Sequence, residues 1–310
     1  MEMLIQCLLL VVGFVMLVKG ADWFVDGASG IADKFGVPQL VIGLTIVAMG
    51  TSMPEAAVSI AAALKGSAEI TIGNIVGSNI LNILIILGIT SAIVAVAVAK
   101  STIKVEIPYM LVITAVLLIM GYTGNVISFV EGIVLWVLFI VYLAYLFVMA
   151  KKQKEEVEEE SKNNSLIKLV VAVVIGLVLV VWGSNVAVDA ATNIAKIIGL
   201  SERFIGLTIV ALGTSLPELV TSVSAAIKGK ADIAIGNIVG SNIFNILFVV
   251  GTAALITPVV FAPNFMIDTI IAIAAGVLLW LCVFKTKKLN RVAGIVMLIC
   301  YAGYFVYLLA

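Results

Sequence analysis

The chain has 310 residues, of which 63% are apolar and only 12% are charged, whereas a soluble domain carries about 25% charged residues. This composition excludes a disordered chain and an ordinary soluble enzyme. The 18 Lys+Arg residues balance 18 Asp+Glu residues, so no basic surplus is left for a nucleic-acid partner. Histidine is absent, which excludes imidazole metal sites and serine–histidine catalytic triads.

Apolar runs long enough to cross a bilayer recur from end to end, which predicts an all-α integral membrane protein. Polar residues, glycines and prolines divide the chain into ten predicted transmembrane helices. They cover residues 3–27, 38–64, 70–98, 104–120, 127–150, 166–190, 203–227, 232–256, 266–284 and 292–309. The lipid bilayer is therefore an expected partner, while no obligatory protein partner is evident. The three cysteines, Cys7, Cys282 and Cys300, lie in apolar runs and are interpreted as buried thiols.

Ten spans place both termini on the same side of the membrane. With Lys19 set aside because it lies within the first span, three Lys+Arg residues fall on that side and fourteen on the other. Because cytoplasmic loops carry the excess of positive charge, we expect a multi-pass plasma-membrane protein with extracellular termini. The charged segment 151–165 is interpreted as a cytoplasmic linker between a first half, 1–150, and a second half, 166–310.

The two halves are copies of each other. Residues 42–82 align without a gap to residues 205–245 at an offset of 163, with 29 of 41 positions identical. Each half holds five predicted spans, and because five is odd the second copy enters the membrane from the opposite side. The chain is thus predicted to be two inverted five-helix repeats, a pattern typical of secondary transporters.

In the second span, the segment Gly50-Thr51-Ser52-Met53-Pro54-Glu55 interrupts an apolar helix. Pro54 has no N–H to donate, so it leaves backbone carbonyl groups free in the middle of the membrane. The seventh span repeats this segment and ends it with Glu218. A carboxylate inside a span is costly to insert, which makes Glu55 and Glu218 candidates for function.

A polar stripe with a spacing of four follows in the next span of each half. It comprises Asn74, Ser78 and Asn82 in the first half and Asn237, Ser241 and Asn245 in the second. These side chains either bind ions or join helices through hydrogen bonds, and the sequence leaves both interpretations open. Asp22, Asp26 and Asp189 lie late in their spans and are interpreted as structural.

Carboxylates, hydroxyls, amides and freed carbonyls all offer oxygen, and no soft ligand accompanies them. Oxygen ligands suit hard cations such as Ca²⁺ and Na⁺. Two carboxylates would neutralise one divalent ion or hold monovalent ions instead, which is a physical basis for exchange at a shared site.

The duplicated GTSMPE/GTSLPE and GNIVGSNILN/GNIVGSNIFN segments resemble the two alpha repeats of the calcium/cation antiporter superfamily, most of all in prokaryotic sodium/calcium exchangers. The resemblance implies Ca²⁺ transport against Na⁺ by alternating access, with these ions as cargo and no cofactor. It implies a calcium site of Glu55, Glu218, Thr51 and Thr214. The sodium ligands that it implies are Ala48, Ser52, Glu55, Ser78, Asn82, Ala211, Ser215, Glu218, Ser241 and Asn245.

One position departs from part of that superfamily. Potassium-dependent exchangers carry an aspartate where this chain has Asn245, so the resemblance does not imply K⁺ co-transport. Exchange of Ca²⁺ against H⁺ remains an alternative, because carboxylates bind protons as well. A cation channel is disfavoured, since channels gather their filters from several subunits, and an intramembrane aspartyl protease lacks its expected GxGD motif here.

Overall fold

The computed structural model describes residues 2–154, 165–199 and 211–309, which form a helical bundle with four two-residue strands. The helices are α1 Glu2–Phe35, α2 Gln39–Thr51, α3 Met53–Leu64, α4 Ile70–Ile93, α5 Thr102–Gly124, α6 Phe129–Lys154, α7 Leu166–Ile197, α8 Leu216–Ile227, α9 Ala231–Ile256, α10 Pro263–Phe284 and α11 Arg291–Leu309. A single helical turn, Ala211–Gly213, precedes α8. The strands are β1 Val96–Ala97, β2 Val126–Ile127, β3 Val259–Val260 and β4 Lys288–Leu289.

Eight of these helices are long and apolar enough to cross a membrane, and α2 and α3 together make a ninth candidate that bends by 50°. The chain is therefore a multi-pass helical membrane protein. Of the predicted span 203–227, only the turn at 211–213 and the segment through α8 lie within the described residues. Residues 155–164 of the predicted linker lie outside them.

The helices α1 and α7 cross in close contact through small residues. A Cβ atom on Gly13 would stand 2.7 Å from the backbone nitrogen of Ala187, and one on Gly27 would stand 2.9 Å from the carbonyl oxygen of Leu169. The contacts run in opposite directions along the two helices, so α1 and α7 are antiparallel. Glycines here let two backbones approach, as is common between helices in membranes.

This contact explains why two predicted boundaries are wrong. The span predicted at 3–27 continues to Phe35, and the span predicted at 166–190 continues to Ile197. The glycines after residue 26 suggest a break, but Gly27 and Gly30 lie inside α1 where it meets Leu169. The span predicted at 70–98 is also wrong at its end, because α4 stops at Ile93 and β1 follows.

Two antiparallel strand pairs link the halves. Val96 of β1 pairs with Leu289 of β4, and Val126 of β2 pairs with Val260 of β3. Because α5 separates β1 from β2, the two pairs lie at opposite ends of the bundle. Each pair joins a strand of the first half to a strand of the second.

Wider, π-helical turns interrupt several helices. One covers Asn82–Leu87 in α4 and another covers Asn245–Val250 in α9, at equivalent positions of the duplicated segment. Such turns are rare and often mark functional sites. Each begins at the last asparagine of a polar stripe.

The cysteines are not all buried as predicted. Cys7 and Cys300 are exposed, and Cys282 is half-buried. The prediction fails because the outer surface of a membrane bundle is itself apolar, so an apolar run does not indicate which of its residues faces the interior.

Candidate cation-binding site

The two predicted glutamates lie just after a break in a helix. Ser52 leaves the helical conformation between α2 and α3, and Pro54 and Glu55 fall in the first turn of α3. Ser215 has the same conformation before α8, which carries Glu218 in its first turn. Proline is favoured in a first turn, where its missing N–H costs nothing. Both glutamates are buried, with side chains 1% and 0% exposed.

Each glutamate is contacted by a serine from the other half. The Ser52 hydroxyl donates a hydrogen bond to Oε1 of Glu218 at 2.8 Å, and the Ser215 hydroxyl donates to Oε1 of Glu55 at 3.3 Å. The four residues therefore form one cluster across the two breaks. Their second carboxylate oxygens, Oε2 of Glu55 and of Glu218, are buried and have no hydrogen-bond partner among the described residues.

Four asparagines form a second cross-connection, between α4 and α9. The Nδ2 of Asn79 donates to the backbone carbonyl of Asn242 at 3.2 Å, and the Nδ2 of Asn242 donates to the carbonyl of Asn79 at 3.1 Å. The Nδ2 of Asn82 then donates to Oδ1 of Asn242 at 2.9 Å, and that of Asn245 to Oδ1 of Asn79 at 3.1 Å. Oδ1 of Asn82 and of Asn245 are buried, and no described residue hydrogen-bonds to either of them.

Asn74 and Asn237 are engaged with the helices that carry the glutamates. Asn74 donates to the Ser59 hydroxyl at 2.9 Å and Asn237 to the Ser222 hydroxyl at 2.9 Å. Asn237 also accepts a hydrogen bond from the Thr51 hydroxyl at 2.9 Å. These contacts favour the packing interpretation for both asparagines.

The other predicted ligands lie around this cluster. The Ser241 hydroxyl donates to the Ala48 carbonyl at 3.3 Å, and Ser78 is buried in α4. Ala211 begins the turn before α8. Thr214 borders a cavity of about 540 Å³ between α3 and α7, whose lining includes Pro54, Ser184, Asn185 and Asp189. Its lining joins exposed residues such as Met53 and Asp189 to Gly213 and Thr214 at the second helix break.

The three aspartates outside the cluster behave differently from one another. Asp22 and Asp26 of α1 form ion pairs with Lys228, at 3.3 and 2.8 Å. This agrees with a structural role. Asp189 of α7 is exposed, and among the described residues it forms no ion pair with Lys65, the counterpart of Lys228 in the first half.

Several polar residues that the sequence patterns do not indicate are buried in the structure, and three of them carry the hydrogen bonds described here or a buried charge. Asn79 and Asn242 belong to the repeated GSN triplets, but they fall outside the spacing of four that defined the stripe. Glu106 is fully buried in α5 and accepts a hydrogen bond from the Tyr145 hydroxyl. Its position near a span end concealed it, because Lys104 precedes it and suggests a membrane surface.

Comparison with known proteins identifies the family of the chain. A family model described as sodium/calcium exchanger protein matches residues 5–148 and 168–310. The chain belongs to the sodium/calcium exchanger family. The sodium/calcium exchanger MaX1 of Methanosarcina acetivorans is 34% identical to the chain over 98% of each protein. The inner membrane protein YrbG of Escherichia coli is 36% identical over 90% of each.

A solved structure of another exchanger has the same fold. The sodium-calcium exchanger NCX_Mj, soaked with Na⁺ and Sr²⁺, superimposes with a TM-score of 0.85 and is 33% identical, covering 97% of both chains. Membership of the exchanger family therefore extends over the whole length of the chain. The glutamate cluster and the asparagine cross-connection both lie in the matched ranges.

Proposed function

We propose that the protein is a secondary active antiporter that exchanges Ca²⁺ for Na⁺ at one mid-membrane site. The observation that carries this proposal is the crossed contact of Ser52 with Glu218 and of Ser215 with Glu55. Each serine occupies one oxygen of a carboxylate from the other half and leaves the second oxygen free. Two buried carboxylates, each with one oxygen that has no partner among the described residues, suit one divalent cation, whose charge they balance.

The same oxygens can serve two kinds of ion. We assign Ca²⁺ to Glu55, Glu218, Thr51 and Thr214. We assign Na⁺ to a wider set of oxygens: Ala48, Ser52, Glu55, Ser78, Asn82, Ala211, Ser215, Glu218, Ser241 and Asn245. Because the glutamates belong to both sets, binding of one ion excludes the other, which is the condition for exchange.

We propose the ten-span layout with two inverted halves, 1–150 and 166–310, joined by a cytoplasmic linker at 151–165. The antiparallel crossing of α1 and α7 supports the inversion, since equivalent helices of two inverted repeats run in opposite directions. The reciprocal contacts of Asn79 and Asn242 also fit a two-fold relation. A carrier is favoured over a channel because one chain supplies both copies of the site.

We place the protein in the plasma membrane with its termini outside. With this orientation, the cavity beside Thr214 opens to the exterior, and Lys228 lies at the cytoplasmic end. A cysteine introduced at Ser161 in a cysteine-free variant should then react with an impermeant reagent only from the cytoplasmic side. Reaction from outside in intact cells would reverse the orientation.

The exchange itself is tested with purified protein in liposomes. We expect ⁴⁵Ca uptake when the liposomes contain Na⁺ and the medium does not, and little uptake without a gradient. A second measurement replaces the Na⁺ gradient by a proton gradient, with the liposome interior more acidic than the medium and no Na⁺ present. Uptake driven only by protons would replace Na⁺ by H⁺ in the mechanism, and uptake without any counter-ion would indicate a channel.

A further inference from the structure

The orientation of the asparagine amides between α4 and α9 is fixed by backbone groups. A backbone carbonyl only accepts hydrogen bonds, so the side chains of Asn79 and Asn242 must turn their Nδ2 atoms toward the carbonyls of Asn242 and Asn79. Their Oδ1 atoms consequently point away from those carbonyls. In that direction each meets the amide of a stripe asparagine from the other half.

This arrangement determines which end of Asn82 and of Asn245 is available to an ion. Asn245 must direct its Nδ2 toward Oδ1 of Asn79, at 3.1 Å, and Asn82 must do the same toward Asn242, at 2.9 Å. Both stripe residues therefore present a carbonyl oxygen on their other side, and in the described part of the chain these two buried oxygens have no hydrogen-bond partner. If either amide turned over, an NH₂ group would face the cation, and two oxygens would face each other in the cross-connection.

We propose that Asn79 and Asn242 are positioning residues of the sodium site, each of which holds a ligand supplied by the opposite half. Asn79 acts through Asn245, and Asn242 acts through Asn82. This inference rests on the proposed function and refines its sodium site. Neither residue touches the ion itself, because its own Oδ1 is already engaged.

The same contacts explain why asparagine suits positions 82 and 245. The position needs a donor for the cross-connection and an oxygen for the ion, and an amide carries both. An ionised aspartate would carry no donor and would set two acceptors against each other at about 3 Å, which leaves a buried group unsatisfied. The fixed charge of the site is thus confined to Glu55 and Glu218.

The test is a set of double-mutant cycles in the liposome assay, with the half-saturating Na⁺ concentration as the measured quantity. N79A and N245A are each expected to raise that concentration about fivefold, the effect of losing one ligand worth about 1 kcal/mol. The double variant N79A/N245A should be no worse than N245A, because Asn79 acts through Asn245. The half-saturating Ca²⁺ concentration should change less than twofold in N79A.

The matched control follows from the fact that each positioning residue contacts a stripe asparagine of the other half and not of its own helix. N79A combined with N82A, which lies in the same helix, should show the product of the two single effects. The mirror cycle predicts that N242A is coupled to N82A and not to N245A. Independent effects in both crossed pairs, or coupling within one helix instead, would overturn the proposal. Should wild-type protein fail to exchange Ca²⁺ for Na⁺, the proposed function would fail, an outcome distinct from the loss of crossed coupling.

Discussion

The two halves match at the glutamates and differ at the entrances to them. Ser52 and Ser215 make equivalent contacts with Glu218 and Glu55, and both glutamates are buried. At one end of the bundle, however, Lys228 closes onto α1 through two ion pairs. At the other end, the equivalent positions Lys65 and Asp189 form no ion pair with each other in the described residues, and the cavity there reaches Thr214.

The binding residues are thus alike in the two halves, whereas the two ends, through which ions would reach them, differ. A symmetric centre can bind the same ions from either side, whereas asymmetric ends determine which side reaches it. A second cavity of about 380 Å³ lies beside Lys228, and none of the described residues that line it is a predicted ligand. The ion pairs of Lys228 and the cavity that reaches Thr214 therefore lie at different ends of the described bundle.

The largest expected effect concerns the symmetric centre. Glu55→Gln and Glu218→Gln should each lower Na⁺-driven ⁴⁵Ca uptake by at least about 100-fold, since each removes one of the two charges that balance Ca²⁺. The matched control is Glu106→Gln, a buried glutamate hydrogen-bonded to Tyr145 away from the cluster, which should retain uptake. A strong loss in only one of the two glutamate variants would break the equivalence of the halves.

A smaller effect distinguishes Asn237 from Asn74. Asn237 is fully buried and bonds Thr51 of the other half as well as Ser222, whereas Asn74 is half-buried. Asn237→Ala should therefore lower the free energy of unfolding by about 1–3 kcal/mol, and Asn74→Ala by less. Thermal unfolding followed by tryptophan fluorescence measures both. Equal losses would mean that the link to Thr51 contributes nothing.

The ion pairs at the closed end should have a weaker effect. Partly exposed pairs contribute about 0–1 kcal/mol, so Lys228→Met should shift the access equilibrium by up to about fivefold. In a cysteine-free background, labelling of a cysteine at Val223, which lines the cavity beside Lys228, should become faster by that factor. Lys65→Met should leave labelling at the equivalent Ile60 unchanged. Faster labelling at both positions would contradict the proposed difference between the two ends of the bundle.

No effect at all is expected from potassium. Positions 82 and 245 are amides in both halves, so the site offers no third carboxylate to hold an additional monovalent cation. Na⁺-driven ⁴⁵Ca uptake should proceed at the same rate when K⁺ is replaced by an organic cation. A strict requirement for K⁺ would overturn the inference from Asn245 and mean that uncharged oxygens suffice to bind K⁺.

Much of this arrangement could be predicted from the sequence because membrane constraints are local. Apolar runs predict the helices, and Pro54 and Pro217 predict the breaks, since a missing N–H acts within one helical turn. The contacts between the halves could not be predicted in the same way. That Ser52 meets Glu218 and not Glu55 depends on how the two breaks face each other across more than 160 residues.

Other errors had a common cause. Gly27 and Gly30 suggest the end of a helix, but in α1 they permit close packing against α7. The repeated segment does not single out Asn79 and Asn242, because a spacing of four residues indicates which side chains share one helix face and not which helix they contact. The strand that ends α4 at Ile93 pairs with residues almost 200 positions away. Tertiary contacts determine all three features.

The two short strand pairs have a mechanical consequence. The pair β1–β4 connects the two halves at one end of the bundle, and the pair β2–β3 connects them at the other end. Connections at both ends oppose a motion that would separate the two halves at either end. Neither α1 nor α7 adjoins a strand in the part of the chain that the structure describes. A sliding motion of α1 and α7 relative to the other helices would therefore leave both strand pairs intact.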